Sequence, residues 1–226
     1  MESGCRGDVF VAGPMARIIE KVLTPILNYE VVEQAREEGC EEMLHFVPEK
    51  QLKHLEPTEP KKVRFAGLKG TQGTKFHFKF AELLGRHALK IEAREGEPVL
   101  AVFFRDADAT NTTPTTEWQE KWNSICQGFQ FSRFERGVPM LPKPKSEAWL
   151  LCAWDKNYTS CADLEDAPGN DASPNSLKKQ LAATLGKQGS AQELAEKVAS
   201  ELDVDKLEMP SFNAFKNRLV QAASEA

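Results

Sequence analysis

Two aspartates that follow an apolar run are well placed to do chemistry. Asp106 and Asp108 come after the run ProValLeuAlaValPhePhe at residues 98–104. Such a run is typical of a strand that is buried on both faces of a parallel sheet. Ligands of open α/β sheets bind beyond the carboxyl ends of the strands, and two carboxylates one residue apart can converge on one hard cation. The pattern therefore predicts a Mg²⁺ or Mn²⁺ site, and the alternative interpretation is a solvated turn.

A second candidate is the segment ProLysProLysSerGluAlaTrp at residues 142–149. Its alternating prolines make the chain stiff and extended, so we expect the ammonium groups of Lys143 and Lys145 to be held out, where they suit a phosphodiester backbone. Ser146 is placed to cap the following helix, and Glu147 lies in its first turn, where negative charge is favoured. Capping is sufficient to explain Ser146, whereas Glu147 is also a candidate metal ligand.

A third candidate is the glycine-rich loop predicted at residues 67–75, which contains Lys69 and Lys75. It lacks the GxxxxGK[ST] pattern and is therefore not a P-loop. Contact between these two lysines and nucleic-acid phosphates is one interpretation. A mobile surface connection is the interpretation that we favour.

The elements that must position these residues follow from apolar periodicity. A short strand at 8–12 precedes a helix at 15–27, for which Pro14 suits the start. Ser173 and Pro174 are predicted as the cap and first residue of the first closing helix. The other predicted elements are strands at 29–35 and 137–141, helices at 76–90, 117–126 and 147–154, and closing helices near 176–185, 190–202 and 210–223.

Strands that alternate with helices predict an α/β fold. We expect a mostly parallel central sheet with helices on both faces, followed by a C-terminal helical extension. A chain of 226 residues suits one domain with an appendage, which we place at residues 1–160 and 161–226.

Bulk properties narrow the class of protein. The net charge of −5 is not that of a strongly basic nucleic-acid module, although a local basic patch is compatible with it. The sequence has no apolar run long enough for a membrane span and no signal-peptide pattern at its start, so we expect a cytoplasmic protein. The five cysteines form no CxxC pair, which favours free, mostly buried thiols in a reducing cytosol.

The order of these motifs resembles the Toprim (topoisomerase–primase) fold. The resemblance rests on a strand that ends in Gly13-Pro14, a later strand that ends in AspXAsp, and ProLysProLysSerGluAlaTrp, and it covers about residues 8–155. The branch it resembles is that of small single-Toprim bacterial proteins related to the overcoming-lysogenization-defect nucleases, which are linked to phage defence. The resemblance implies that Asp106 and Asp108 are the metal pair. It also implies that Ser146 and Glu147 belong to the family's later Ser/Glu region and that Lys143 or Lys145 stabilises the transition state.

The chain departs from that family at the first motif. The family's GluGlyProThrGlu or GluGlyProThrAsp is here AlaGlyProMetAla at residues 12–16, so that Ala12 and Ala16 occupy both acidic positions. Two-metal phosphoryl transfer needs several carboxylates, and those that remain suffice for one weakly held Mg²⁺: Asp106, Asp108 and Glu147. Glu20 lies one helical turn beyond Ala16, but the shift of ~6 Å argues against its replacing the lost acid.

Three functions follow from these patterns. The first is a Mg²⁺-dependent nuclease, in which Lys143 or Lys145 neutralises charge on the scissile phosphate. The second is a catalytically inactive Toprim module that binds DNA, RNA or an ATPase partner, and the two alanines favour it. The third is a Mg²⁺-dependent phosphatase, because AspXAspXThr at 106–110 superficially resembles the nucleophile motif of haloacid-dehalogenase enzymes.

Overall fold

The computed structural model describes residues 4–6, 9–38, 43–54, 72–107, 114–154, 160–186 and 190–225. The strands of this part are β1 (Gly4–Arg6), β2 (Val9–Val11), β3 (Ala101–Phe104) and β4 (Gly137–Met140). Its α-helices are α1 (Pro14–Leu27), α2 (Val31–Glu38), α3 (Glu49–His54), α4 (Gln72–Glu95), α5 (Thr115–Phe131), α6 (Ser146–Trp154), α7 (Leu177–Thr184), α8 (Ala191–Glu201) and α9 (Pro210–Ser224). Short 3-10 helices span Cys161–Asp166 and Val204–Lys206.

The described residues are mostly helical, and their strands form two pairs. β1 and β2 are antiparallel, whereas β3 and β4 are parallel, with Ala101 opposite Gly137 and Phe104 opposite Met140. The parallel pairing of the predicted apolar strand is confirmed. β3 is shorter than the run 98–104 because the backbone of Val99 bonds side chains instead. Its N–H donates to Glu92 (2.9 Å) and its carbonyl accepts from Arg136 (3.1 Å).

The predicted strand–turn–helix unit at the start of the chain is confirmed. β2 is followed by α1, which begins at Pro14, where a proline suits the first helical position. The helix ends at Asn28, whose φ of 62° lies in the left-handed region that asparagine tolerates better than most residues. Ile18 and Val22 of α1 are buried in the core.

The strand predicted at 29–35 is wrong, because this segment forms α2. Its two valines favour a strand locally. The backbone N–H of Val32, in the first turn of α2, donates to the buried carboxylate of Glu20 at 2.7 Å. Val32 and Ala35 are both buried, which is the spacing of one helical face. A capping acceptor from α1 and this apolar face therefore override the local preference.

Two other boundaries differ from the prediction. α4 starts at Gln72, so Lys75 belongs to a helix rather than to the loop predicted at 67–75, and Lys69 lies outside the described residues. α7 starts at Leu177 with Ser176 as its N-cap, because Ser173 is engaged in a turn in which its hydroxyl accepts from the N–H of Asn175 (3.3 Å).

Two buried clusters hold the helices together. The first joins α1, β4 and α6 to the C-terminal helices, and its centre is Trp149, which stacks on Phe215 at 5.6 Å. The second lies between α4, α5 and β3 and includes Phe103, Ile125 and Phe129. The helices after residue 160 thus share a core with β4, and the domain boundary at 160 stays a prediction. No helix among the described residues is long and apolar enough to cross a bilayer.

The expectation of free thiols is wrong for Cys152 and Cys161, which form a disulfide. The end of α6 and the start of the following 3-10 helix bring their Cα atoms to 5.2 Å, within the range that a disulfide bridges. This disulfide gives no support to a reducing compartment. Cys126 is free and half-buried, and burial raises the pKa of its thiol, with an opposing contribution from Arg218.

Replacing Glu20 with glutamine should lower the free energy of unfolding by about 2 kcal/mol. The Glu20 carboxylate accepts a hydrogen bond from the buried guanidinium of Arg17 at 2.7 Å. Once glutamine removes the charge of Glu20, Arg17 keeps the ion pair with Glu33 at 3.2 Å. Urea unfolding measures the difference. Glu33→Gln is the matched control, because the Glu33 side chain is 44% exposed and its loss should cost less than about 1 kcal/mol. Equal losses for the two variants would contradict the burial argument.

Candidate anion-binding site at the ends of the parallel strands

The two segments predicted to carry chemistry meet at the carboxyl ends of β3 and β4. The parallel ladder continues past the strands, since the N–H of Arg105 donates to the Met140 carbonyl (3.1 Å) and that of Ala107 to the Pro142 carbonyl (2.9 Å). This register places Asp106 beside the turn that leads into α6. The site thus lies where ligands bind in parallel sheets.

Asp106 is tied to the start of α6. Its Oδ1 accepts from the backbone N–H of Ser146 at 2.8 Å. The first turn of a helix has N–H groups without intrahelical partners, and a carboxylate there satisfies one of them and suits the helix dipole. The acceptor at the Ser146 N–H is therefore the side chain of Asp106, which follows β3. Asp108 lies outside the described residues.

The proline pattern predicted that Lys143 and Lys145 would be held out into solvent. This prediction is wrong. The side chain of Lys143 is 5% exposed, and its Nζ lies 3.3 Å from both Thr115 Oγ1 and Asp166 Oδ1. The side chain of Lys145 is 12% exposed, and its Nζ lies 2.8 Å from Asp171 Oδ1. The prediction failed because residues 161–171 lie over the turn and supply carboxylates to both ammonium groups.

The two ion pairs are asymmetric in exposure. The side chains of Asp166 and Asp171 are 73% and 57% exposed, respectively. The two lysine side chains are therefore nearly buried, whereas the two aspartate side chains are exposed to solvent. An exposed carboxylate gains little from such a pair, because water solvates it well in either state. Another anion that reaches the lysines can therefore displace it.

Glu147 is the remaining acid of this turn. It is half-buried, and its Oε2 is shielded from solvent and has no hydrogen-bond partner among the described residues. The fit to a two-cation centre is poor, since the described part of the chain contains no group of three His, Cys, Asp or Glu side chains placed to bind a metal. Within that part, the acids that remain do not build a two-metal nuclease site.

The first-motif positions do not supply the missing acids. Ala12 is buried in a small apolar cluster with Val32, against which Ala16 packs. Replacement of the lost acid by Glu20 is excluded by its contacts, because one carboxylate oxygen binds Arg17 and the other the N–H of Val32, each at 2.7 Å. Glu20 is a structural residue of the α1–α2 corner.

Sequence reasoning missed the residues that neutralise the lysines. Thr115 starts α5, and Asp166 and Asp171 lie in the polar segment 163–175, whose composition is typical of a linker. The acidic composition of that segment was the signal that could have paired it with the ProLysProLys turn. Lys121 was also missed: its Nζ donates to the Ala107 carbonyl at 2.7 Å and fixes the backbone beside Asp106.

Lys75 lies near the same end of the strands. It is exposed in the first turn of α4. The neighbouring Phe76 ring is covered by the guanidinium of Arg105 at 4.2 Å, and Arg105 directly precedes Asp106. The start of α4 and the end of β3 are therefore adjacent.

Comparison with known proteins adds no family to this geometry. No protein-family model, no curated protein and no solved structure matches the chain.

Proposed function

We propose that this chain is a Toprim-like module that binds nucleic acid at the carboxyl ends of β3 and β4 without cleaving it. The observation that carries the proposal is the meeting of Asp106 with the Lys143–Lys145 turn at the ends of two parallel strands. Toprim-like topology, with further parallel strands and helices on both faces, is part of the proposal. So is an ATPase partner, which the resemblance implies.

The chemistry of the turn supports a phosphodiester as the ligand. The ammonium group of Lys143 lies 3.3 Å from Thr115 Oγ1 at the start of α5, and backbone N–H groups at a helix start favour anions. The buried stems of Lys143 and Lys145 keep the cations in place. A phosphate that replaced the exposed carboxylates would form charge-assisted hydrogen bonds with preorganised donors.

We infer the absence of cleavage from the acidic residues that are replaced or already engaged in other contacts. Ala12 and Ala16 stand where the resembled family has carboxylates, and Glu20 is engaged elsewhere. One oxygen of Asp106 is already bound to the N–H of Ser146. Without a firm clamp for two cations, the charge on a scissile phosphate is not stabilised.

Replacing Lys143 and Lys145 with glutamine should weaken nucleic-acid binding by about tenfold at about 0.1 M salt. The dependence of log affinity on log salt should also become shallower by about two units, because each phosphate contact contributes about 0.9. Fluorescence anisotropy with labelled single-stranded DNA, duplex DNA and RNA measures both. Lys145→Gln alone is the milder variant, and thermal unfolding checks that each protein is folded.

The matched control is Lys216→Gln, which removes a lysine that pairs with Asp205 at 2.5 Å. It should change affinity less than about twofold. Equal affinity of wild type and the double variant would refute binding at this turn. Incubation with Mg²⁺ or Mn²⁺ tests the other two functions. Cleavage that requires Asp106 would replace the proposal with a nuclease, and hydrolysis of a simple phosphate ester would replace it with a phosphatase.

A further inference from the structure

The solvent-facing side of α4 carries a row of cations. Lys75, Lys79, Arg86 and Lys90 are all exposed. Their spacings of four, seven and four residues place them within an arc of about 60° on a helix of 3.6 residues per turn. At 1.5 Å per residue the row is about 22 Å long. These four residues form the basic stripe of α4.

The sequence around the basic stripe is rich in cations and poor in acids. Glu82 is the only acidic residue between positions 72 and 91, and it pairs with Arg86 at 2.6 Å. Within the described part of the chain, Lys75 and Lys90 have no ion-pair partner. The sequence just before α4, residues 60–71, adds four basic residues and no acid, although the chain as a whole carries −5.

The pKa of His87, which lies between Arg86 and Lys90 in the chain, is lowered by its surroundings. Burial lowers the pKa of His87, and the positive charges of His45, Lys90 and Arg94 lower it further. The same positive potential would attract a polyanion.

The opposite face of α4 is not available to a partner. Phe80, Leu83 and Ala88 are buried in the cluster that α4 shares with Ile125 and Phe129 of α5. A basic helix that binds a lipid surface inserts its apolar face into the bilayer, and here that face is part of the core. The stripe therefore acts through charge rather than through an inserted apolar face, and its row of about 22 Å fits an extended polyanion.

The basic stripe starts beside the candidate site at the carboxyl ends of β3 and β4. Arg105, whose side chain is 47% exposed, bridges the two, since it covers the ring of Phe76 in the first turn of α4 and lies 3.6 Å from Glu49. Arg105 thus places one cation, paired with Glu49, between the end of β3 and the start of α4. A duplex of about 22 Å presents about six phosphates on each strand, at 3.4 Å per phosphate.

We propose that the basic stripe of α4 binds the sugar–phosphate backbone of a nucleic acid whose other contact is the Lys143–Lys145 turn. The inference rests on the proposed function and adds a second surface to it. Lysine contacts to phosphate carry no sequence information, so this surface sets affinity and direction and does not select a base sequence.

The test is the triple variant K75Q/K79Q/K90Q. Glutamine keeps the helix propensity of lysine and leaves the Arg86–Glu82 pair intact. Binding to labelled DNA and RNA should weaken about tenfold at about 0.1 M salt, and the salt dependence should fall by about three units. The control K197Q/K206Q/K216Q removes the same charge from the region of α8 and α9 and should change affinity less than about twofold.

The outcomes separate this inference from the proposed function. Weaker nucleic-acid binding by K75Q/K79Q/K90Q, with no weakening by the control K197Q/K206Q/K216Q, supports binding at the stripe. Equal weakening by both triple variants indicates a general charge effect and overturns it. Wild-type affinity of K75Q/K79Q/K90Q, together with weak binding by the variant that lacks Lys143 and Lys145, overturns the stripe and leaves the proposed function standing. Binding of wild type to vesicles of anionic lipid, but not to any nucleic acid, overturns both.

Discussion

Replacing Asp166 and Asp171 together with asparagine should tighten nucleic-acid binding by about tenfold. Both carboxylates are more than half exposed and neutralise nearly buried lysines, Lys143 at 3.3 Å and Lys145 at 2.8 Å. A phosphate must displace them before it can bind. Each exposed pair contributes up to about 1 kcal/mol, and about 1.4 kcal/mol corresponds to a tenfold change in affinity.

The matched control for this variant is Asp163→Asn with Asp205→Asn. Asp163 is exposed in the same 3-10 helix as Asp166, and Asp205 pairs with Lys216, so the net charge changes equally away from the two lysines. Fluorescence anisotropy with the same labelled strands gives the affinities. If both double variants bind equally well, the gain comes from net charge and the displacement idea is wrong.

Thermal unfolding separates competition from a purely structural role. Without Asp166 and Asp171 the ammonium of Lys143 keeps Thr115 at 3.3 Å and loses a carboxylate partner. The free protein should therefore unfold slightly more easily, and added nucleic acid should restore its stability by mass action. Lower stability with no gain in affinity would mean that the two aspartates only hold the turn in place.

Replacing Gly128 with alanine should lower the free energy of unfolding by about 3 kcal/mol. Gly128 lies where α5 packs directly against α4. An added Cβ would collide with the backbone carbonyl of Phe78 and would lie 2.8 Å from the Cβ of Ala81. Backbone atoms in a helix do not move aside cheaply, so the two helices must separate. This cost exceeds the gain of about 1 kcal/mol that alanine normally brings to a helix.

Gly96→Ala is the control for this prediction. Gly96 has a φ of +76°, and an added Cβ there would meet nothing within 4 Å. That variant should therefore cost only the strain of the left-handed conformation, about 1–2 kcal/mol. Chemical denaturation of both proteins measures the difference. A loss for Gly128→Ala no larger than that for Gly96→Ala would refute the close approach of α4 and α5.

Local patterns in the sequence determined several elements of this fold. The apolar run 98–104 contains a strand, Gly13-Pro14 precedes a helix, and Ser146 begins one, because these signals depend on residues close together in the chain. The strand-end rule also selected Asp106, and only the family resemblance grouped the turn at 142–149 with it. The strand and the two helix starts rest on local backbone preferences that the sequence expresses directly.

Tertiary structure decided what those residues contact. α2 is helical because Glu20 from another helix caps it, and Lys143 and Lys145 are neutralised by carboxylates more than twenty residues away. Cys152 pairs with Cys161 because two helix ends meet. Such contacts join segments whose separation in the chain carries no periodic signal. Residue type and spacing could therefore nominate Asp106 and the lysines, whereas only their packing determined which charges they meet.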